Sequence, residues 1–229
     1  MKKFRSLPIY TKDKKINRIY LLSILLLVSY QSGLQAAPMN FKGSITSMAT
    51  IGKDDSSVEL GLAVTSKDSL GIRAHQIKGR GYQIKSGGIF HLRKLMRINA
   101  INSQTNLWLF TEVGTLSIKK NSKEKRDYYL SPKFQFDYET KRIYGLISHK
   151  FLRVGHENFD TSKIEAGFSF YETGYKKTQP WLILKAKNTN SLFKKVEYTP
   201  TLRLINNAIF MDAGVTTDGD PSIHLMYTF

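Results

Sequence analysis

Apolar and polar side chains alternate along nearly the whole chain after residue 42. Between residues 57 and 65, for example, Val58, Leu60, Leu62 and Val64 share one parity. Successive side chains of a β-strand point to opposite faces, so a period of two predicts strands with one apolar face. The sequence after residue 42 shows no convincing apolar stripe of helical period. The pattern therefore predicts an all-β protein.

The alternating segments are long for a soluble sheet. Strands in soluble sheets average about five or six residues, whereas a strand that crosses a bilayer at a tilt needs about nine to eleven. Twelve strands are predicted, an even number as in single-chain bacterial barrels. They lie at residues 43–52, 57–65, 69–78, 82–94, 105–118, 127–138, 143–152, 163–172, 180–188, 193–204, 208–216 and 221–229.

We therefore predict a single antiparallel up-and-down transmembrane β-barrel with twelve strands. Ten strands are the alternative, because the first segment alternates weakly. The parity of a strand does not tell whether its apolar face points outward to lipid or inward to a core. A soluble periplasmic β-barrel that binds a ligand is therefore a second interpretation.

The last strand carries a pattern of its own. Ile223, Leu225, Tyr227 and Phe229 share one parity, and the chain ends on the aromatic residue. This ending resembles the assembly signal of Gram-negative outer-membrane proteins, which typically finish on a strand with a terminal Phe and an aromatic residue two positions earlier. The resemblance implies an outer-membrane location, with the barrel assembly machinery and outer-membrane lipid as partners. We expect this strand to close the barrel by pairing with the first.

Residues 1–36 have the features of a secretory signal peptide. A basic segment precedes an apolar run of about ten residues, and the small residues Ala36 and Ala37 follow before Pro38. A helix that spans a bilayer needs about twenty residues, so the run is short for a membrane anchor. Cleavage after Ala36 leaves residues 37–229 as the barrel domain. An uncleaved signal anchor is the alternative.

The chain is strongly basic, with a formal net charge of +17 and no cysteine. Residues 1–36 hold seven basic residues and one acidic residue, so the charge of the barrel domain is +11. An exported protein meets little nucleic acid, and we expect lipopolysaccharide phosphates or a small anionic solute as partners instead. The alternative is that lysines only keep the loops soluble. The absence of cysteine excludes disulfides and thiolate chemistry.

Charged residues collect on one parity of the predicted strands. This parity supports a small pore or accessory barrel with a basic-biased lumen, acting in solute or metal homeostasis. The alternative is a plugged interior in which opposite charges pair, because small barrels are usually filled by their own side chains. The predicted lumen-lining residues are Arg73, His75, Lys85, His91, Arg93, Lys133, Lys163, Glu165, Lys195, Glu197 and Arg203.

Enzyme chemistry and metal binding are the two further alternatives for this protein. A lipid hydrolase or acyl-modifying enzyme of the outer membrane needs a hydroxyl nucleophile beside a histidine, and Ser222 and His224 are the candidates. No Gly-x-Ser-x-Gly elbow or complete triad accompanies them, so we predict no enzyme activity. For metal, His75 and His91 share a parity on adjacent predicted strands, but five histidines without close spacing predict neither a metal site nor a cofactor.

The region Lys119–Arg126 is rich in lysine and is predicted as a long loop outside the membrane. It follows the fifth predicted strand, and connections after odd-numbered strands face outside if both termini are periplasmic. Placed outside, its charges are suited to lipopolysaccharide phosphates. The alternative to a ligand-binding role is a solvated hairpin loop.

Three blocks of sequence carry a further resemblance. They comprise residues 102–110 with Gly114, residues 137–144, and residues 199–220. The blocks resemble an uncharacterised group of small proteobacterial outer-membrane proteins associated with loci for copper or other heavy-metal efflux. The resemblance implies an outer-membrane barrel and a context of metal stress. None of the blocks is a catalytic motif, so no functional residue is carried over.

Overall fold

The computed structural model describes residues 41–155, 157–174 and 177–229. The predicted signal peptide lies outside the described residues. No helix in the described ranges is long and apolar enough to cross a membrane. The strands are β1 (Ile45–Gly52), β2 (Asp55–Ala63), β3 (Asp68–Gly79), β4 (Tyr82–Asn99), β5 (Ser103–Lys120), β6 (Lys123–Thr140), β7 (Ile143–Lys150), β8 (Arg153–Val154), β9 (Glu157–Asn158), β10 (Thr161–Ser169), β11 (Gln179–Thr189), β12 (Glu197–Asn206), β13 (Ile209–Val215) and β14 (Pro221–Thr228).

Twelve of these strands form one closed antiparallel barrel, which confirms the predicted fold and strand number. They are β1–β7 and β10–β14, and each is paired with its neighbours along the chain, while β8 and β9 form a small separate hairpin. The barrel closes between β1 and β14, where Thr46 lies opposite Thr228. The terminal Phe229 exchanges backbone hydrogen bonds of 2.7 and 2.8 Å with Ile45. The expected closure by the last strand is therefore confirmed.

The apolar face of the barrel points outward. Leu60, Ile72 and Leu130 are 44%, 60% and 60% exposed, whereas the inward residues Ser57 and Glu112 on neighbouring strands are buried. A closed sheet satisfies its backbone hydrogen bonds internally, and an outward apolar surface is stable in hydrocarbon rather than in water. The soluble interpretation required an inward apolar face and is wrong.

Three neighbouring strands are much longer than a bilayer crossing requires. β4, β5 and β6 have 18 residues each, against about nine to eleven for a tilted crossing. At the end opposite the chain termini, which we call the distal end, β6 extends beyond its pairing with β7 and forms a projecting hairpin with β5. At the other end, which we call the terminal end, β4 and β5 extend beyond the pairing of β4 with β3. The region Lys119–Arg126 is part of the projecting hairpin, so the predicted long loop is wrong.

The turn of the projecting hairpin explains why the loop prediction failed. Asn121 and Ser122 have φ angles of 46° and 68°, the left-handed geometry of a two-residue hairpin turn. Lys119 and Lys120 before the turn and Lys123 and Glu124 after it remain paired across the two strands. Outside the bilayer a strand has no need of an apolar face, so its sequence resembles that of a loop.

Candidate functional site

The barrel lumen is the candidate site, and the structure brings part of the predicted set together there. These inward residues are Arg73, His75, Lys133, Lys163, Glu165, Glu197 and Arg203. Lys85, His91 and Arg93 instead lie on the outer parity of β4, because the buried residues of that strand occupy the inner one. Lys195 lies in the turn between β11 and β12. The prediction is therefore wrong for these four residues.

One charged cluster centres on Glu112, on the inner face of β5. Its carboxylate accepts hydrogen bonds from Arg73 at 3.2 Å and from Lys150 at 3.0 Å, and the Tyr129 hydroxyl also donates to it. Arg73 additionally lies 3.2 Å from Glu59. We call these residues the Glu112 cluster. It links strands β2, β3, β5, β6 and β7 across the lumen.

A second charged cluster surrounds Arg203 of β12, which is buried. Its guanidinium donates to Asp212 at 2.8 and 3.1 Å and to Glu165 at 2.8 Å. Lys185 lies 2.6 Å from Asp212, and Lys163 lies 2.6 Å from Glu165. Each carboxylate therefore has two cationic partners, an arrangement that offsets the cost of burying charge.

The rings of Tyr144 and Phe210 lie on the same guanidinium. Each ring centroid is 4.5 Å from the Arg203 carbon. A planar guanidinium stacks on aromatic faces, so these contacts fix its orientation as well as its charge.

A third group lies nearer the distal end, where Asp55 is hydrogen-bonded to His75 at 2.9 Å and to Lys187. When this third group is included, cations and carboxylates are almost equally numerous in the lumen. The cations are Arg73, Lys94, Arg97, Lys133, Lys150, Lys163, Lys185, Lys187 and Arg203, and the carboxylates are Asp55, Glu59, Glu112, Asp137, Glu139, Glu165, Glu197 and Asp212. The basic bias expected for the lumen is therefore slight, and most of the excess charge lies on the strand ends and turns.

Several of these lumen residues were missed in the sequence. Lys185 and Lys187 carried a usable signal, because they alternate with the outward residues Leu182 and Leu184. Asp212 carried little, because β13 has only seven residues and the apolar Phe210 lies on the same inner face. Which charges meet depends on strands far apart in sequence, and periodicity does not report this.

An apolar cluster fills the distal mouth of the lumen. The inner faces of β3–β6 contribute Ile77, Tyr82, Ile84, Leu116, Ile118 and Tyr129, and connections on the other side of the barrel contribute Leu152, Val154, Phe159 and Leu192. Leu192 is fully buried. Its carbonyl oxygen would lie 2.7 Å from a Cβ at Gly79, so the approach requires glycine there. Because the contributing segments come from opposite walls, we call this cluster the cap.

Polar contacts fasten the cap to the projecting strands. The Tyr82 hydroxyl donates to Glu157 of the β8–β9 hairpin at 2.8 Å, and Lys120 lies 3.4 Å from the same carboxylate. The hydrogen bond from Tyr82, aided by Lys120, lowers the pKa of Glu157. Asp160 accepts the backbone N–H of Leu152 at 2.8 Å. The Glu157 carboxylate therefore links the hairpin to the barrel wall.

The terminal half of the lumen is narrowed by large side chains. Phe90, Leu92 and Trp108 form a buried cluster with Ala63 on the inner faces of β2–β5. The Trp108 ring nitrogen donates to Asp137 at 2.7 Å. The lumen thus combines charged clusters at its middle with apolar packing toward both ends.

The alternatives for enzyme and metal chemistry receive little support from the geometry. Ser222 and His224 both face inward, but no hydrogen bond joins their side chains in the described part of the barrel. A serine–histidine contact that the sequence did not reveal joins Ser162 and the His149 ring at 2.9 Å on the outer face. Among the described residues, no carboxylate or amide side chain hydrogen-bonds this ring.

A metal site formed by His75 and His91 would require the two side chains to lie on the same face of the barrel wall. His75 faces the lumen and His91 faces outward, where it lies 3.0 Å from Asp68, so the suggested convergence is wrong. No group of three or more His, Asp or Glu side chains within residues 41–155, 157–174 and 177–229 is placed to hold a metal ion. His156 lies outside the described residues.

A closed antiparallel barrel with an apolar exterior and a charged interior defines the class of membrane-spanning β-barrels. No family model and no curated protein matches the chain. KdgM porin is a similar solved structure, with a TM-score of 0.48 and 8% sequence identity, and the match covers 81% of this chain and 98% of that chain. KdgM porin in complex with disordered oligogalacturonate has a TM-score of 0.47 and 9% identity, with coverage of 81% and 98%. LpxR from Salmonella typhimurium has a TM-score of 0.46 and 8% identity, with coverage of 81% and 99%. These comparisons do not support the association with heavy-metal efflux.

Proposed function

We propose that the protein is a non-enzymatic outer-membrane β-barrel that acts as a gated pore for small ionic solutes. The observation that carries the proposal is a charged, partly solvent-exposed lumen that is covered at one mouth by the apolar cap. Within that lumen Lys163 is 36% exposed and Asp55 30% exposed at their side chains. Charged side chains that are paired yet wetted suit the passage of ions and small polar solutes.

The location in the outer membrane is supported by the closing strand. Ile223, Leu225, Tyr227 and Phe229 lie on the outer parity of β14, and the Tyr227 and Phe229 rings stack at 5.5 Å. Aromatic side chains at the end of a strand favour the membrane–water interface. Recognition of this strand by the barrel assembly machinery is part of the proposal, as is export by a cleaved signal peptide.

The near balance of charge in the lumen bears on selectivity. A lumen with almost equal numbers of cations and carboxylates exerts a weak net field on a passing ion. We therefore propose weak preference for anions rather than a dedicated anion path. Among the residues that the structure describes, no lumen cluster is suited to a metal ion, and metal homeostasis is not included in the proposal.

The test is single-channel recording in planar bilayers. The wild-type protein is expected to show rare openings, because the cap covers the distal mouth. Leu192→Asp places a charge in the apolar cap and is expected to raise the open probability. Ile101→Asp, at a 98% exposed position in the turn at the terminal end, is the control and is expected to match wild type. Impermeability of both wild type and Leu192→Asp would show the pore form of the proposal to be wrong.

A further inference from the structure

The outer surface of β3–β6 changes character in an ordered way toward the distal end. Cross-strand pairing aligns one outward row of apolar residues, Ile72, Ile89, Val113 and Leu130. The next outward row, two residues farther along each strand, is Ala74, Gly87, Thr115 and Tyr128. Tyr128 is 83% exposed, and a tyrosine at the edge of an apolar surface favours the level of the lipid headgroups.

The two rows beyond Tyr128 are polar and basic. They are Gln76, Lys85, Ser117 and Arg126, followed by Lys78, Gln83, Lys119 and Glu124. Neighbouring strands lie about 4.8 Å apart and successive outward residues about 7 Å apart, so the cationic groups share one small surface. We call Lys78, Lys85, Lys119 and Arg126 the outer basic patch.

Three of the four patch cations lack the carboxylate partner that most of the lumen cations have. Glu124 is the one carboxylate of the two rows, and it accepts hydrogen bonds from Ser117 at 2.8 Å and from Arg126 at 3.3 Å. These bonds lower the pKa of Glu124, so it stays ionised and offsets one positive charge. Among the described residues, Lys78, Lys85 and Lys119 have no side-chain hydrogen bond or salt bridge. The patch therefore keeps an excess of positive charge.

The strands on the opposite flank of the barrel carry no outward charge at their distal ends. At the distal ends of β10, β11 and β12 the outward side chains are Ser162, Asn188 and Tyr198, all of them uncharged. On the outward faces of the strands themselves, the unpaired cations of the distal end therefore lie on β3–β6, whereas on the opposite flank Lys194 and Lys195 lie in the connection between β11 and β12. This asymmetry indicates a localised ligand rather than a general need for solubility.

We propose that the outer basic patch binds the phosphate groups of lipopolysaccharide in the outer leaflet. The apolar row below Tyr128 contacts acyl chains, and the basic rows lie where headgroup phosphates meet the barrel wall. Lys and Arg form short charge-assisted hydrogen bonds with phosphate oxygens, and several together bind a headgroup with more than one phosphate. The inference rests on the proposed outer-membrane location, but it does not depend on whether the lumen conducts.

The test measures the affinity of the purified full-length protein for diphosphoryl lipid A, in detergent at about 0.1 M salt. The patch variant replaces Lys78, Lys85, Lys119 and Arg126 with Gln. The control replaces Lys42, Lys67, Lys141 and Lys177, exposed lysines of the terminal end, with Gln and thus makes the same change in net charge. We expect the patch variant to bind at least about fivefold more weakly, because exposed charge pairs each contribute modestly. The control is expected to stay within about twofold of wild type.

Three outcomes would overturn the inference. One is equal loss in the patch and control variants, which would indicate a net-charge effect. Another is undiminished binding to lipid A from which both phosphates have been removed. The third is equally tight, patch-dependent binding to phosphatidylglycerol vesicles, which would identify a different lipid as the source of phosphate. Heat-modifiable migration of each variant on gels verifies that its barrel is folded. Absence of the protein from outer membranes would refute the location, whatever the affinity in detergent.

Discussion

Replacing Glu112 with Gln tests whether paired charges in the lumen hold the barrel walls together. The substitution keeps the size of the side chain but removes the charge that faces Arg73 and Lys150. Arg73 keeps a second carboxylate, Glu59, at 3.2 Å. In the described barrel, Glu112 is the only salt-bridge partner of Lys150, so the variant leaves the Lys150 ammonium without a partner in a largely buried site.

Removing one partner of a buried ion pair typically destabilises a protein by about 3–5 kcal/mol. The side chain of Lys150 is 16% exposed, and contact with water favours the lower end of that range, about 3 kcal/mol. The assay is urea unfolding of the barrel in detergent, followed by the fraction that keeps the fast-migrating form on unheated gels. Glu124→Gln, at an exposed carboxylate, is the control and should change stability by less than about 0.5 kcal/mol.

A second substitution distinguishes two causes of the lost stability: the lost attraction between Glu112 and Lys150, and the unpaired charge left on Lys150. If the cost of Glu112→Gln comes from the isolated ammonium, adding Lys150→Met should restore most of the lost stability, because the uncompensated charge is removed. An unfolding midpoint for Glu112→Gln equal to that of wild type would refute the reasoning. So would a double variant that is less stable than the single one.

Further predictions concern backbone packing, the cap and the enzyme alternative. Gly71→Ala should destabilise the barrel by at least about 1–3 kcal/mol in the same urea assay, because the added Cβ would meet the backbone carbonyl oxygen of Leu60 and would lie 2.5 Å from the Phe90 ring. Gly145→Ala, with nothing within 4 Å, should have little effect. The wild-type channel should open more often as the pH falls through the lowered pKa of Glu157, since protonation removes the charge that fastens the cap, and Glu157→Gln should open often even at neutral pH. Ser222→Ala should leave envelope lipid composition unchanged by mass spectrometry; loss of a lipid product would instead favour the hydrolase.

The architecture was predictable because alternation reports local strand geometry directly. Segments such as Tyr128–Tyr138 and the closing strand through Phe229 have one apolar parity, and bilayer crossing requires that parity to face outward. The same rule failed for β4. It predicts that Lys85, His91 and Arg93 line the lumen, but Tyr82 and Ile84, on the other parity of the strand, lie inside the cap.

The inward orientation of the apolar side chains at the distal end of β4 has a physical cause. Where a strand projects beyond the bilayer, its outer face meets water and polar headgroups, so apolar side chains are more stable on the inner face, as in a soluble protein. Lys85 consequently points outward, as part of the outer basic patch. The lumen clusters were predictable only in part, because contacts such as that of Arg203 with Glu165 join strands well separated in the chain.

The claim that the apolar face of a closed barrel meets outer-membrane lipid is tested most directly by fractionation combined with gel migration. We predict that the protein sediments with outer membranes, is released only by detergent, and migrates faster on a gel before heating than after, as a closed barrel does. Recovery in the soluble fraction without detergent, with one migration rate before and after heating, would contradict the account.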